Sequence, residues 1–363
     1  MSLAPTSDEL LHLDLIRFIA SAAIVVVHSG EFFVPRAYRL ESHAHLAGMS
    51  LFVDVFFIIS GFVIAHVYTN RMADWRDFAR FMQRRIGRLF PLHLVTLLAV
   101  AILFFLVGKS GAATNTPMNL VPECLVLGTF LLHSVIDCGG PVPNGVNWSI
   151  SAEMIMYLAF PALLLLGRKL GPLRYGLWLG FMLLVGSQFL RDTAWATHTT
   201  FWRALPAFFF GLAVRLDWEL WAKIPMPGFV PVILAFGLVA GSLLIWPGWL
   251  LLTLAYGVSL SAIIADGRGQ PSALTKRVAP LGQLTYSMYM LHPIVIMVLV
   301  NAVGDKILKL EPVPLSVLTL VSYVIITILS LLSYKLFETP ARRFIDGLDL
   351  VPPRKADKAP SHV

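Results

Sequence analysis

Apolar runs of membrane-crossing length recur along this chain from residue 13 to residue 337, and they restrict its fold more than any other feature. A backbone in lipid finds no water, so every N–H and C=O must be satisfied inside its own helix or inside a closed sheet. That leaves a helical bundle or a β-barrel. Barrel strands alternate lipid-facing and lumen-facing residues over about ten positions, and no such alternation occurs here. The runs are continuous, and about 20 mostly apolar residues suffice for one helical crossing. Charged residues make up 13% of the chain, about half their share in a soluble domain. The reading is all-α and polytopic.

Spans are expected near 13–34, 46–69, 89–107, 147–167, 175–190, 201–217, 228–246, 249–265, 284–303 and 315–337, about ten transmembrane helices. The stretch 120–133, LVPECLVLGTFLLH, is short for a crossing and reads as re-entrant or interfacial. The net charge of +7 would suggest nucleic acid in a soluble protein. Here it fits Lys and Arg gathered in cytoplasmic loops, and no nucleic-acid partner is expected. With the N-terminus inside, the cytoplasmic segments hold 19 basic residues and the opposite side 7. Both termini are then cytoplasmic. Residues 1–345 form one membrane-embedded domain, and 346–363 a short polar tail. The N-terminus lacks the basic region of a cleavable signal. Cys124 and Cys138 fall on the extracytoplasmic side, where either a disulfide or two free thiols fits.

Ionisable side chains inside spans are costly and face a cavity or a partner by default. In RFIASAAIVVVH, Arg17 and His28 are eleven residues apart, which returns a helix to within about 20° after a rise of about 16 Å. One stripe therefore carries a cation near the cytoplasmic mouth and a titratable base farther out. Snorkelling is the bland reading of Arg17, and an interhelical hydrogen bond that of His28. Glu153 sits inside its span with Ser149 one turn earlier on the same face. A His28–Glu153 pairing follows from their similar depth, with a structural ion pair as its plainer version. Asp54 calls for an arginine or histidine partner. His292 precedes Pro293, which loosens the helix, and Tyr289 is close by.

Between the second and third spans, Arg76, Arg80, Arg84 and Arg88 recur every four residues, with Arg85 beside them. The stripe is either an anchor to anionic membrane lipid or a polyanion site, since guanidinium forks match phosphate oxygens. Glu338 at the end of the last span reads as structural. The H-x-H of His43 and His45 lacks further ligands, so no metal is expected.

These motifs, in this order, resemble those of the acyltransferase family 3 membrane proteins, integral-membrane carbohydrate O-acyltransferases. They are R-x(10)-H at 17–28, DVFFIISGFVI at 54–64, RRIGRLFP at 84–91, WSISAE at 148–153, YSMYMLHP at 286–293 and FETP at 337–340. The resemblance implies a cytoplasmic acyl-CoA co-substrate, usually acetyl-CoA, no permanently bound cofactor, and a carbohydrate or lipid-linked glycan acceptor beyond a bacterial inner membrane. It maps catalysis onto Arg17, His28 and Glu153, and donor binding onto Arg84, Arg85 and Arg88, with Arg80 and Arg17 adjoining. Trp148 and Ser149, with Asp54, Tyr289 and His292, fall to acceptor binding or structure. Trp148, Trp195 and Trp202 are candidates for stacking on a sugar ring. A proton-coupled transporter would also bury Arg, His, Asp and Glu, although transporters often show repeats and paired broken helices. No repeat is visible here, and one broken helix, at Pro293, stands out. A lipid-binding scaffold would leave His28 and Glu153 without a role.

Overall fold

The structure is a computed structural model of the chain, and it describes residues 10–110, 120–138, 142–189, 200–268 and 271–351. Among these every regular element is helical. In chain order the α-helices are α1 Leu11–Ser29, α2 Arg39–Ala47, α3 Phe52–Tyr68, α4 Trp75–Ser110, α5 Pro122–Thr129, α6 Asn147–Leu170, α7 Arg174–Phe189 and α8 Thr200–Leu216. They continue with α9 Trp218–Trp221, α10 Val230–Leu243, α11 Gly248–Gly267, α12 Ala273–Val278, α13 Thr285–Val295, α14 Pro312–Ser333 and α15 Thr339–Asp346. Two π-helical stretches, Ile296–Ile307 and Tyr334–Glu338, extend α13 and α14. Helix overlaps each of the ten expected spans, and seven helical stretches are long and apolar enough to cross a membrane. The far end of the tail, from residue 352, and Trp195 lie outside the described residues.

Hydrogen bonds between loops sort the helix ends onto two faces. On one, the Asp266 carboxylate ending α11 accepts from the backbone N–H groups of His12 (2.7 Å) and Leu13 (3.0 Å), capping the positive end of α1. The same face brings Arg168 of α6 to the Thr69 carbonyl after α3, and Gln83 of α4 to the carbonyls of Ile345 and Leu348. On the opposite face, Arg36 and Arg39 clamp Asp305 past the end of α13, and His45 bonds the Leu243 carbonyl ending α10. Ser134 and the Leu131 carbonyl meet Ser151 of α6 there.

The segment read as re-entrant or interfacial carries α5, whose eight residues rise about 12 Å, far short of a crossing. Cys124 and Cys138 are joined in a disulfide that closes this loop. Burial lowers the pKa of His133, in the same loop, to about 4, so its ring is uncharged at neutral pH.

The tightest contact in the bundle is α3 against α8. Gly61 and Gly211 face each other across it, and a Cβ built at either position would lie 2.0 Å from a carbonyl oxygen of the other helix. Small residues permit such backbone approach between membrane helices. The crossing matters because α3 carries Asp54 and Ser60, and α8 carries Arg203.

Candidate active site

On α1, Asp14, Arg17, Ser21, Ile24 and His28 follow one another at three- and four-residue steps, so they form one stripe. Arg17 donates to Asp14 Oδ1 at 3.2 Å. Ser21 reaches the Thr285 carbonyl, which turns the stripe toward α13. The expected arrangement of Arg17 and His28 on one face of one helix is therefore present.

Two adjoining cavities, of about 80 Å³ in the core and about 150 Å³ at the mouth, open along this stripe. The outer one is polar and lies at the face where α1 begins, between Asp14, Gln283, Glu338 and Arg342. The second reaches into the core, between Ser60, Phe57, Ser149, Glu153 and Tyr289. Arg17, Arg88 and Tyr286 line both, so these three side chains stand at the neck between them. The Tyr286 hydroxyl donates to the Leu89 carbonyl at 2.5 Å, which ties α13 to α4 at that neck. At the mouth, Glu338 accepts from the hydroxyls of Ser287 and Ser333. That fits the structural reading of Glu338, although it also forms part of the mouth's wall.

Glu153 faces the core cavity, and its Oε1 accepts from Ser60 Oγ (2.7 Å) and Tyr157 OH (2.5 Å). It does not bond His28, so the pairing expected from depth is absent. Similar depth does not fix which way a helix is turned. Ser60 and Tyr157 went unnoticed in the sequence because one hydroxyl in an apolar motif carries no signal by itself. Ser149 Oγ donates to Tyr289 OH at 2.7 Å, and Tyr289 reaches the Val146 carbonyl at 3.2 Å.

His28 bonds α13 instead. Its Nδ1 lies 2.9 Å from the Ile24 carbonyl oxygen and 3.2 Å from His292 Nε2. His292 is fully buried, whereas His28 is an exposed residue. His28 stands outside both cavity walls, and Tyr289, which lines the core cavity, packs edge-on against His292 with ring centres 5.9 Å apart.

The basic stripe of α4 divides. Arg88 lines both cavities although it is exposed, as Arg84 is, and Arg80 is half-buried. Arg85 turns inward, with its guanidinium 5.7–5.8 Å from the ring centres of Tyr68, Phe81 and Tyr157. Those are cation–π distances. Neither cavity includes Arg85, so it supports Tyr157 and, through it, Glu153. Adjacent helical residues diverge by about 100°, which is why Arg84 and Arg85 have unlike surroundings.

Asp54 finds an arginine. Arg203 donates to its carboxylate through Nε at 2.8 Å and through Nη2, and gives a further bond to the Ser50 carbonyl. The sequence reading left Arg203 among the charges of the opposite side, yet it is buried in α8. Its guanidinium also lies 5.7 Å from the Trp148 ring centre, while Phe57 meets that ring edge-on. Trp148 is thus engaged within the bundle, which leaves less of it for a sugar than the sequence reading expected. Among the described residues no group of three or more His, Cys, Asp or Glu could hold a metal.

No solved structure matches the chain. Two curated relatives do. Acyltransferase MdmB of Streptomyces mycarofaciens is 31% identical over 167 residues, 45% of this chain and 41% of that protein. Protein 2 in the picA locus of Rhizobium radiobacter is 34% identical over 115 residues, 31% of this chain and 55% of that protein. The chain thus covers about half the length of the curated relatives it matches. The acyltransferase domain of family 3 matches from residue 10 to residue 334, from the start of α1 to the end of α14. That span takes in every cavity-lining residue of the core and neck, and with it this helical membrane protein belongs to the acyltransferase family 3.

Proposed function

We propose that the protein transfers an acyl group, acetyl in the first instance, from cytoplasmic acyl-CoA to a hydroxyl of an extracytoplasmic or lipid-linked carbohydrate in a bacterial inner membrane. The observation that carries this reading is the neck, where Arg17 and Arg88 stand between a polar mouth and a core cavity that ends at Ser149 and Tyr289. Coenzyme A is a phosphate-rich head on a thin arm ending in a thioester. Arg88, Arg17, Arg342 and the exposed Arg84 can hold the head and guide the arm, because guanidinium–phosphate bonds are charge-assisted. Membrane lipid surrounds the bundle. Two observations support the orientation. Disulfides persist in oxidising compartments, which supports a Cys124–Cys138 loop away from the cytoplasm. The mouth lies at the opposite end, where α1 begins, and the basic loops are expected there.

In this reading His28 is the general base. It takes the proton of the acceptor hydroxyl as that oxygen bonds to the acyl carbon. The C–S bond then breaks, and the same proton passes from His28 to the departing thiolate, so free coenzyme A leaves as the thiol. For this the thioester must pass beyond Tyr289, at the end of the core cavity, to His28, and holding both substrates there supplies the proximity contribution. A proton-coupled transporter is not favoured, given the family match along the bundle.

Binding of acetyl-CoA to the purified full-length protein in detergent tests this reading by calorimetry. Charge-assisted bonds contribute about 1.5–3 kcal/mol each, so Arg88→Ala or Arg17→Ala should weaken binding by about 10- to 100-fold. If the wild type does not bind acetyl-CoA, or both variants bind it unchanged, the donor assignment fails.

A further inference from the structure

The His28–His292 contact fixes more than a distance. A neutral imidazole carries one N–H, on either Nδ1 or Nε2. His292 Nδ1 lies 3.0 Å from the Met288 carbonyl oxygen, which can only accept. The proton of His292 is therefore on Nδ1, and its Nε2 is a bare acceptor. That Nε2 faces His28 Nδ1 at 3.2 Å, and the same His28 nitrogen lies 2.9 Å from the Ile24 carbonyl oxygen. Both neighbours of His28 Nδ1 are acceptors, so Nδ1 carries the hydrogen and Nε2 has a free lone pair. His292 is fully buried and His28 is exposed, so the bare nitrogen belongs to the more accessible of the two residues.

We infer that His292 is a positioning residue, which holds His28 in the Nδ1–H tautomer and offers its open Nε2 edge as the base. This deepens the reading of His28 as general base and rests on it. It gives the buried histidine, rather than Glu153, the part that the carboxylate takes in hydrolase triads, setting the tautomer and bonding the imidazolium once it forms. It also leaves His292 no proton to give an oxyanion, because its one proton is committed to Met288. The fold keeps the pair rigid. His292 is held by its own helix, and the Ile24 carbonyl sits one turn before His28 on α1.

Two measurements on the full-length protein in lipid bilayers test this. The first is the 15N spectrum of histidine-labelled protein, with His28→Ala identifying the His28 signals. A protonated Nδ1 and an unprotonated Nε2 at neutral pH are expected, and the reverse pattern overturns the proposal whatever the activity. The second is thiol release from acetyl-CoA in the presence of a total glycolipid and glycan extract of bacterial cells. Loss of a partner that orients a metal-ligating histidine costs about 10- to 100-fold, and a loss on that scale is expected for a partner that orients a general base. His292→Leu should lower kcat by about that factor and leave KM for acetyl-CoA unchanged. His292→Gln keeps an acceptor near the former Nε2 position and should return most of the lost kcat. Equal losses in the Leu and Gln variants, or no loss in either, would sink the positioning role. His28→Ala separates the two claims, since wild-type turnover in that variant overturns the base assignment itself.

Discussion

Adding one methyl group at the α3–α8 crossing should both loosen the bundle and damage the site. In Gly61→Ala the new Cβ would lie 2.0 Å from the Phe208 carbonyl oxygen and 2.8 Å from its carbon. A carbon–oxygen contact settles near 3.3 Å, so α8 must retreat by about 1.3 Å from α3 at this point. The obstructing atoms are backbone, and no rotamer change removes them. A gap of about 1 Å forfeits up to half of each dispersion contact across it, and Phe208 and Ile58 on either side are fully buried. Overpacking of this kind costs about 1–3 kcal/mol, and the fixed carbonyl puts this case near 3 kcal/mol. Ser60 precedes Gly61 and holds Glu153 at 2.7 Å. A shift of about 1 Å in such a contact can lower turnover about 100-fold. The assay is unfolding of the purified protein in mixed detergent micelles, followed by helical circular dichroism, beside turnover of acetyl-CoA. Gly211→Ala should behave alike, since its Cβ would meet the Ile58 carbonyl oxygen at 2.0 Å. The double variant should cost less than the sum, because the first methyl already parts the helices. Gly237→Ala is the control, with no atom within 4 Å of the added Cβ. Wild-type stability in Gly61→Ala, or strict additivity in the double variant, would refute the reasoning.

Two further outcomes can be checked by the same unfolding assay. Asp54→Ala leaves Arg203 buried without its counter-charge and should cost about 3–5 kcal/mol, whereas Asp54→Leu combined with Arg203→Met should recover most of that loss. Replacing Cys124 and Cys138 by Ser should cost about 3 kcal/mol through the freed loop, and a reducing agent should destabilise the wild type but not the double-Ser variant.

The sequence exposes helices well here because lipid enforces a simple rule, and every apolar segment of sufficient length is helical in the structure. It exposes the cast of the site for the same reason. Arg17, Asp54, Glu153 and His292 are conspicuous because charge and imidazole are rare in such segments. What it hides is rotation. Whether Glu153 turns to His28 or to Ser60 depends on how α6 sits against α1 and α3, and one-dimensional depth does not carry that. Arg85 fails to join Arg84 and Arg88 at the mouth for a related reason, since its neighbours Tyr68 and Tyr157 arrive from two other helices. Short loops are hidden differently. Arg203 looked like a loop charge because its helix starts only three residues earlier, yet its partner Asp54 draws it into the bundle.

The neck between the cavities also bears on the barrier that any membrane must maintain. Two cavities that follow one another from the mouth to Ser149 would, unguarded, be part of a leak pathway for protons and sodium ions. Arg17 and Arg88 line that passage with fixed positive charge, and a guanidinium in a constriction repels cations. Tyr286, tethered to the Leu89 carbonyl, narrows the same point. On the proposed reading, the residues that draw in an anionic donor would thereby also keep the bundle electrically tight when the site is vacant. Removing both arginines should then do more than slow acylation: it should let ion gradients run down through the protein itself.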